Sequence, residues 1–242
     1  MNELVICYIT GKENNLWFRM SLESSLAVAD KIIIVAGEGD QETLDLINEI
    51  GRYTNQLHKI KIINKRFDRA YKGANGKQRN IYLNEVEEGD WILRLDPDEV
   101  LSDNAFILKD LMKEKLNAYN IRMIHFIYNL GLEDATQPIH RVPFTLFKKT
   151  KGLKYQETEH PLLEGVCGDV GLFDEVIIYH FAYVKGIEST LNKFKTHWEK
   201  SEMHSKEYLI AWKNGHLFGG YPVKPFTKFN ELPYVVRREF GI

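Results

Sequence analysis

Glu88-Gly89-Asp90-Trp91-Ile92-Leu93-Arg94-Leu95-Asp96-Pro97-Asp98-Glu99 is the stretch whose reading decides the fold. The turn Glu88-Gly89-Asp90 opens it, and the apolar run from Trp91 to Leu95 predicts a buried strand. Three carboxylates then follow with only Pro97 among them. Like charges so close are costly unless something neutralises them, and hard oxygen donors suit Mg2+ or Mn2+. The plain alternative is a solvated turn whose aspartate caps the next helix. A buried strand feeding the cluster, with basic residues upstream, favours the first reading.

Upstream, Asn75-Gly76-Lys77-Gln78 has the spacing of a capping box, and Tyr82, Leu83 and Val86 share one face of the helix it would start. From His58 to Asn80 eight basic residues face one acid, Asp68. Most of these read as a solvated face. Lys77 and Arg79 differ, because backbone N–H groups and the dipole of a first helical turn already favour an anion there.

Further upstream, Leu4 to Ile9 and Lys31 to Ala36 are unbroken apolar runs that read as strands buried on two faces, and His58 to Ile63 reads as a third. Leu16 to Ala29 suits a helix, and Asp40 is placed to cap another carrying Leu44, Ile47 and Ile50. Strands alternating with helices predict an α/β domain with a mostly parallel sheet, whose ligands bind beyond the carboxyl ends of the strands. Residues 121–129, 142–147 and 175–184 read as strands without long helices between them, which predicts a mixed or antiparallel extension. Ile187, Leu191, Phe194 and Trp198 then recur at helical spacing within 186–214. The expected organisation is one domain over 1–185, with halves 1–101 and 102–185, and a C-terminal helical extension, 186–242, packed on it.

Composition narrows the partners. Lys and Arg number 32 against 34 Asp and Glu, a net charge of −2, so no basic excess points to nucleic acid. Two cysteines, Cys7 and Cys167, are too few for a disulfide framework. No apolar run approaches the ~18 residues of a membrane helix, and Glu3 sits where a signal peptide would be basic. The expectation is a cytoplasmic protein. The C-terminal aromatics with Lys224, Lys228, Arg237 and Arg238 would allow a peripheral contact at the inner face of a membrane or a contact between copies in a homo-oligomer.

The run Gly73 to Asn80, followed by Glu88 to Leu101, resembles the core of family 2 glycosyltransferases with the GT-A fold. There an Arg-Asn pair opens a helix, and a Gly-Asp-aromatic-Ile-Leu-x-Leu-Asp-x-Asp-Glu segment follows. Ala29 to Val35, Thr145 to Lys149, Glu159-His160-Pro161-Leu162 and Tyr179 to Tyr183 resemble further segments of the family, so the likeness runs over roughly residues 3 to 200. It implies a GT-A catalytic domain over 1–185, with a nucleotide-binding half and an acceptor half. The implied reaction is an inverting, metal-dependent, hexosyltransferase-type transfer of a sugar from a nucleotide diphosphate donor to an acceptor hydroxyl.

The implied cofactor is Mn2+ or Mg2+, held by Asp98 with Asp96, the latter also placed to meet the donor, and with His180 as the third protein ligand. His160 has a lesser claim to that role. Lys77 and Arg79 would meet the donor phosphates. Ala36 stands where the family often has an aspartate touching the base, which leaves Glu38 or Asp40 for that contact. Glu159 is the implied general base, with Glu157, Glu133 and Asp134 as other candidates. The remaining histidines, His125 among them, read as structural.

Two rivals stand beside this. A sugar-nucleotide nucleotidylyltransferase should carry a Gly-rich phosphate loop after the first strand, and Thr10 to Asn15 is a poor version of one. A non-catalytic nucleotide-sugar binding module would keep the fold without turnover.

Overall fold

The computed structural model describes residues 2–11, 15–37, 40–66, 71, 73–127, 129–135, 143–158, 160–184 and 223–242. Its first half alternates as β1 (Leu4–Thr10), α1 (Leu16–Leu26), β2 (Lys31–Ala36), α2 (Gln41–Tyr53), β3 (Ile60–Asn64), α3 (Ala74–Asn84) and β4 (Trp91–Arg94). There follow β5 (Glu99–Leu101), the short α4 (Leu108–Leu111), β6 (Ala118–Ile127), β7 (Asn129–Asp134), β8 (Leu146–Lys148), β9 (Lys154–Tyr155), β10 (Leu163–Glu164) and β11 (Val170–Tyr183). The chain ends in β12 (Val223–Pro225) and α5 (Tyr234–Phe240). The helix expected over 186–214 lies outside the described residues.

The strands of the first half pair in the order β3-β2-β1-β4, all parallel. Every residue of β1 is buried, because its side chains alternate between two filled faces. Leu4, Ile6 and Tyr8 pack with Phe18 and Leu22 of α1 and with Ile47 and Ile50 of α2, while Val5, Cys7 and Ile9 pack with Tyr82 and Leu83 of α3. This is the reason an unbroken apolar run marks a sheet with helices on both faces.

Beyond β4 the sheet becomes mixed. β8 pairs antiparallel with β4 and β6, while β11 runs parallel to β6 and antiparallel to β5. The tail adds an edge strand as well as a helix: β12 pairs antiparallel with β7, and α5 returns to α1. Trp17 stacks between Phe181 and Phe240 at centroid distances of 4.6 and 5.6 Å, and Arg238 pairs with Glu23 at 2.9 Å. Among the described residues no helix is long and apolar enough to cross a membrane.

Candidate functional site

The acidic turn sits at the carboxyl end of β4, in the centre of the sheet. It is a tight turn, with the Glu99 amide donating to the Asp96 carbonyl at 3.0 Å and the Glu99 carboxylate accepting from the Asp96 amide at 2.9 Å. Two neighbours clamp it. Ser21 of α1 donates to the Glu99 carbonyl at 2.5 Å, and the Phe181 amide of β11 donates to the Asp98 carbonyl at 2.8 Å.

The three carboxylates have different fates. Asp96 accepts from Arg79 at 2.6 Å. Burial alone would raise its pKa, but Arg79 and Arg94 outweigh that and hold it below the usual carboxylate range. Burial first, and the charge of Asp96 second, push the Glu99 carboxyl well above its ordinary range. Asp98, 9% exposed, is the carboxylate that faces β11, with Oδ1 lying 3.6 Å from His180 Nε2. The repulsion expected of three adjacent charges is thus relieved in part by the Arg79–Asp96 pair.

Arg79 reaches Asp96 because α3 lies unusually close to the segment after β9. Asn80 donates to the Tyr155 carbonyl at 2.9 Å and accepts from the Tyr155 amide at 2.8 Å. A Cβ at Gly76 would fall 1.8 Å from the Gln156 carbonyl oxygen, so only glycine permits this approach. The capping box does not form. Gly73 is the N-cap, which moves Asn75 into the first turn, and Gln78 donates instead to the Arg66 carbonyl at 2.9 Å. Beside this helix start is a cleft of about 260 Å3 lined by Arg66, Tyr71, Ala74, Lys77 and Gln78.

The expected site residues therefore separate. Lys77 is exposed on the cleft, whereas Arg79 is 5% exposed and paired with Asp96. Asp40 is buried as the N-cap of α2, accepting from the Thr43 amide at 3.3 Å and from its hydroxyl at 2.5 Å. Among the other base candidates, Glu157 accepts from the Tyr71 hydroxyl at 3.0 Å and Glu133 pairs with Lys224 at 3.3 Å. Asp134 pairs in register with Val223, and His160 is exposed. Glu38 and Glu159 lie outside the described residues.

One residue read as merely structural joins the site. His125 of β6 stands opposite His180 of β11 in register, and their Nδ1 atoms are 2.6 Å apart with the rings edge to face. The sequence signal was a lone polar residue in an apolar strand, Ile124-His125-Phe126.

The donor set decides which metal the site fits. Among the described residues no group of three or more His, Cys, Asp and Glu is placed to hold an ion, because Arg79 occupies Asp96; the expected trio of Asp96, Asp98 and His180 is not assembled. Asp98 and His180 alone form a pair. Two atoms each about 2.1–2.2 Å from one ion are roughly 3.0 Å apart at a right angle and roughly 3.5 Å apart at a tetrahedral one. The observed 3.6 Å is wider than the right-angle spacing of an octahedral ion, so a bound Mn2+ or Mg2+ would draw the pair together by about half an ångström. A carboxylate oxygen with an imidazole nitrogen suits Mn2+ better than Mg2+, with water and phosphate oxygens filling the other positions.

No protein-family model matches the chain, and no curated protein matches it in sequence. Among solved structures, S. aureus TarS 1–349 aligns with 88% of this chain and 71% of its own, at 13% identity and a TM-score of 0.54. The chain has a GT-A-type fold. GalNAc-T7, solved with UDP, GalNAc and Mn2+, covers 100% of this chain and 55% of its own at 10% identity and a TM-score of 0.45. Mannose-6-phosphate isomerase from Helicobacter pylori covers 87% and 80% at 13% identity and 0.39. Those last two likenesses are too slight to bear on the argument. In this GT-A-type domain, the acidic turn lies beyond the carboxyl ends of the parallel strands, where α/β sheets bind ligands.

Proposed function

We propose that the chain is a glycosyltransferase that moves a sugar from a nucleotide diphosphate donor to an acceptor hydroxyl, with Mn2+ or Mg2+ held by Asp98 and His180. The observation that carries this reading is the Asp98–His180 pair at the carboxyl end of β4, beside Asp96, which is held by Arg79 of the same helix that brings Lys77 to the cleft. When bound, the cation supplies Lewis-acid neutralisation of the diphosphate leaving group. Lys77 and Arg66 add positive charge along the donor phosphates. Arg79 acts indirectly, holding Asp96 ionised and in place to meet the donor.

Inversion needs a carboxylate within hydrogen-bond reach of the acceptor hydroxyl to take its proton. Glu159 is the proposed base. Gln156 and Glu157, just before it, lie against the start of α3 and Tyr71, which lines the cleft. Glu157 and Glu133 are already engaged with Tyr71 and Lys224.

The test is a thermal-shift screen of uridine, guanosine and cytidine diphosphate sugars with and without Mn2+, followed by an assay of nucleotide diphosphate release. A ligand that binds only the native state raises the melting temperature, by an amount equivalent to about 2.7 kcal/mol at a hundred times its Kd. Stabilisation that needs Mn2+, with release of nucleotide diphosphate, is expected. Donor binding undiminished by EDTA overturns the metal reading, binding without turnover supports the module, and pyrophosphate-dependent cleavage supports the nucleotidylyltransferase. Glu159→Gln should lower turnover by a factor on the order of 10²–10⁴ while leaving donor binding intact. If it turns over normally and a substitution at Glu133, Asp134 or Glu157 abolishes activity, the base is there instead.

A further inference from the structure

We infer that Ser21 and Tyr8 are positioning residues, which hold the free edge of β5 and with it the place of Asp98. The inference rests on the metal reading above and extends it to two residues that touch neither donor nor ion. β5 pairs with β11 along one edge, where the Phe181 amide donates to the Asp98 carbonyl and the Ser102 amide to the Ile177 carbonyl. Residues 99 and 101 turn backbone groups the other way, toward α1. A strand edge covered by a helix is costly unless its groups find partners there. Side chains of α1 supply them: Ser21 donates to the Glu99 carbonyl at 2.5 Å, and the Leu101 amide donates to Ser24 Oγ at 3.2 Å. This accounts for three serines, Ser21, Ser24 and Ser25, in a helix interior, where hydroxyls compete with the backbone.

Tyr8 sets the direction of the Ser21 bond. Tyr8, Ser21 and Ser25 are fully buried, and the two serine oxygens stand 2.9 and 2.6 Å from the Tyr8 hydroxyl. The Glu99 carbonyl can only accept, so the Ser21 proton goes to it. Ser21 must then accept from Tyr8, at Oγ and, at a longer 3.2 Å, at its carbonyl. Tyr8 has no second proton, so its bond to Ser25 uses the proton of Ser25. The relay runs from Ser25 to Tyr8 to Ser21 to the Glu99 carbonyl; every proton has an acceptor, and each bond polarises the next. A helical serine ordinarily turns its hydroxyl back to a carbonyl of the preceding turn, as Ser24 does to Ser21 at 2.8 Å. The phenol keeps Ser21 from that choice. With the Phe181 amide on the Asp98 carbonyl, the Ser21 hydroxyl fixes both peptide units that flank Glu99, and so the backbone from which Asp98 projects.

The carbonyl ¹³C signal of Glu99 in labelled, metal-free protein reports the last bond of the relay. It should move upfield in Ser21→Ala and move the same way, by less, in Tyr8→Phe. Ser25→Ala, which leaves the Tyr8 proton on Ser21, should move it least. A Glu99 signal unmoved in both Ser21→Ala and Tyr8→Phe overturns the inference, whatever the metal does. Mn2+ alone, titrated by electron paramagnetic resonance at a temperature where every variant is folded, gives the second readout. Ser21→Ala and Tyr8→Phe should each weaken Mn2+ binding about 2- to 10-fold, the worth of one net hydrogen bond. Ser25→Ala should keep wild-type affinity although it also breaks a buried bond. Lower melting temperatures in all three variants with equal Mn2+ affinity would mean a merely structural role and refute the positioning one. Should Ser21→Ala fail to fold, Tyr8→Phe, which keeps the ring and its edge contact with Phe18, carries both readouts. If wild type binds no Mn2+, the metal reading of Asp98 fails and takes the link to the ion with it, whereas the carbonyl shifts still decide whether the relay holds the turn.

Discussion

Arg79 and Asp98 show how one acidic turn divides its work at the scale of single residues. Arg79 is buried and ion-paired with Asp96, so truncating it leaves a carboxylate without its partner. Breaking a fully buried pair costs roughly 3–5 kcal/mol, but the Asp96 side chain is 37% exposed and solvent screens part of the loss. Arg79→Ala should therefore destabilise the protein by on the order of 2 kcal/mol in urea unfolding, and Asp96→Asn in the same background should recover part of it. Wild-type stability in Arg79→Ala would show that the pair is not formed in solution. Asp98→Ala should keep the melting temperature of the free protein while abolishing the Mn2+-dependent shift with donor. A donor shift that still needs Mn2+ in that variant would move the ion elsewhere.

At the scale of elements, the site depends on how closely α3 approaches the segment after β9. Gly76→Ala must push that helix off the Gln156 carbonyl, because the contact is with backbone and cannot be relieved by a rotamer change. The expected loss is on the order of 1–3 kcal/mol, the cost of overpacking, together with weaker donor binding. An unchanged melting temperature would mean the two elements are further apart than described. A second junction concerns the start of β1. The Leu4 amide donates to Asp30 at 2.9 Å, and Lys109 pairs with the same carboxylate at 2.5 Å. Burial alone would raise the pKa of Asp30, but these partners outweigh it and lower it from its ordinary 3.8. A folded pKa below the unfolded one gives stability that is present above pH 3.8 and lost as pH falls through the folded value. Asp30→Asn should thus be less stable than wild type at neutral pH, with the gap narrowing below pH 3.8. A gap that is the same at acid and neutral pH would remove Asp30 from the account.

Across the whole molecule, stability should follow the sheet from centre to edge. β1 is buried along its length between β2 and β4, whereas β3, at the end of the described strand order, is only half-buried. Native-state hydrogen exchange should find β1 amides opening only with global unfolding and β3 amides opening earlier. Equal protection in the two strands would contradict that gradient. The sequence by itself determined the alternation of the first half, because residues such as Ile32 to Ile34 are apolar at consecutive positions and only a strand covered on both faces buries them all. It also located the acidic turn, since a Gly-Asp turn, an apolar strand and three carboxylates are local features. Pairing across the chain was not legible. Nothing near Asp96 signals Arg79 as its partner, nothing near Asn75 shows that Gly73 starts the helix, and His125 opposite His180 depends on the register of strands 55 residues apart. Side-chain periodicity is written in neighbouring residues, but register, close approach and the neutralisation of a buried charge arise only when distant segments are packed together, so those were decided by the tertiary structure.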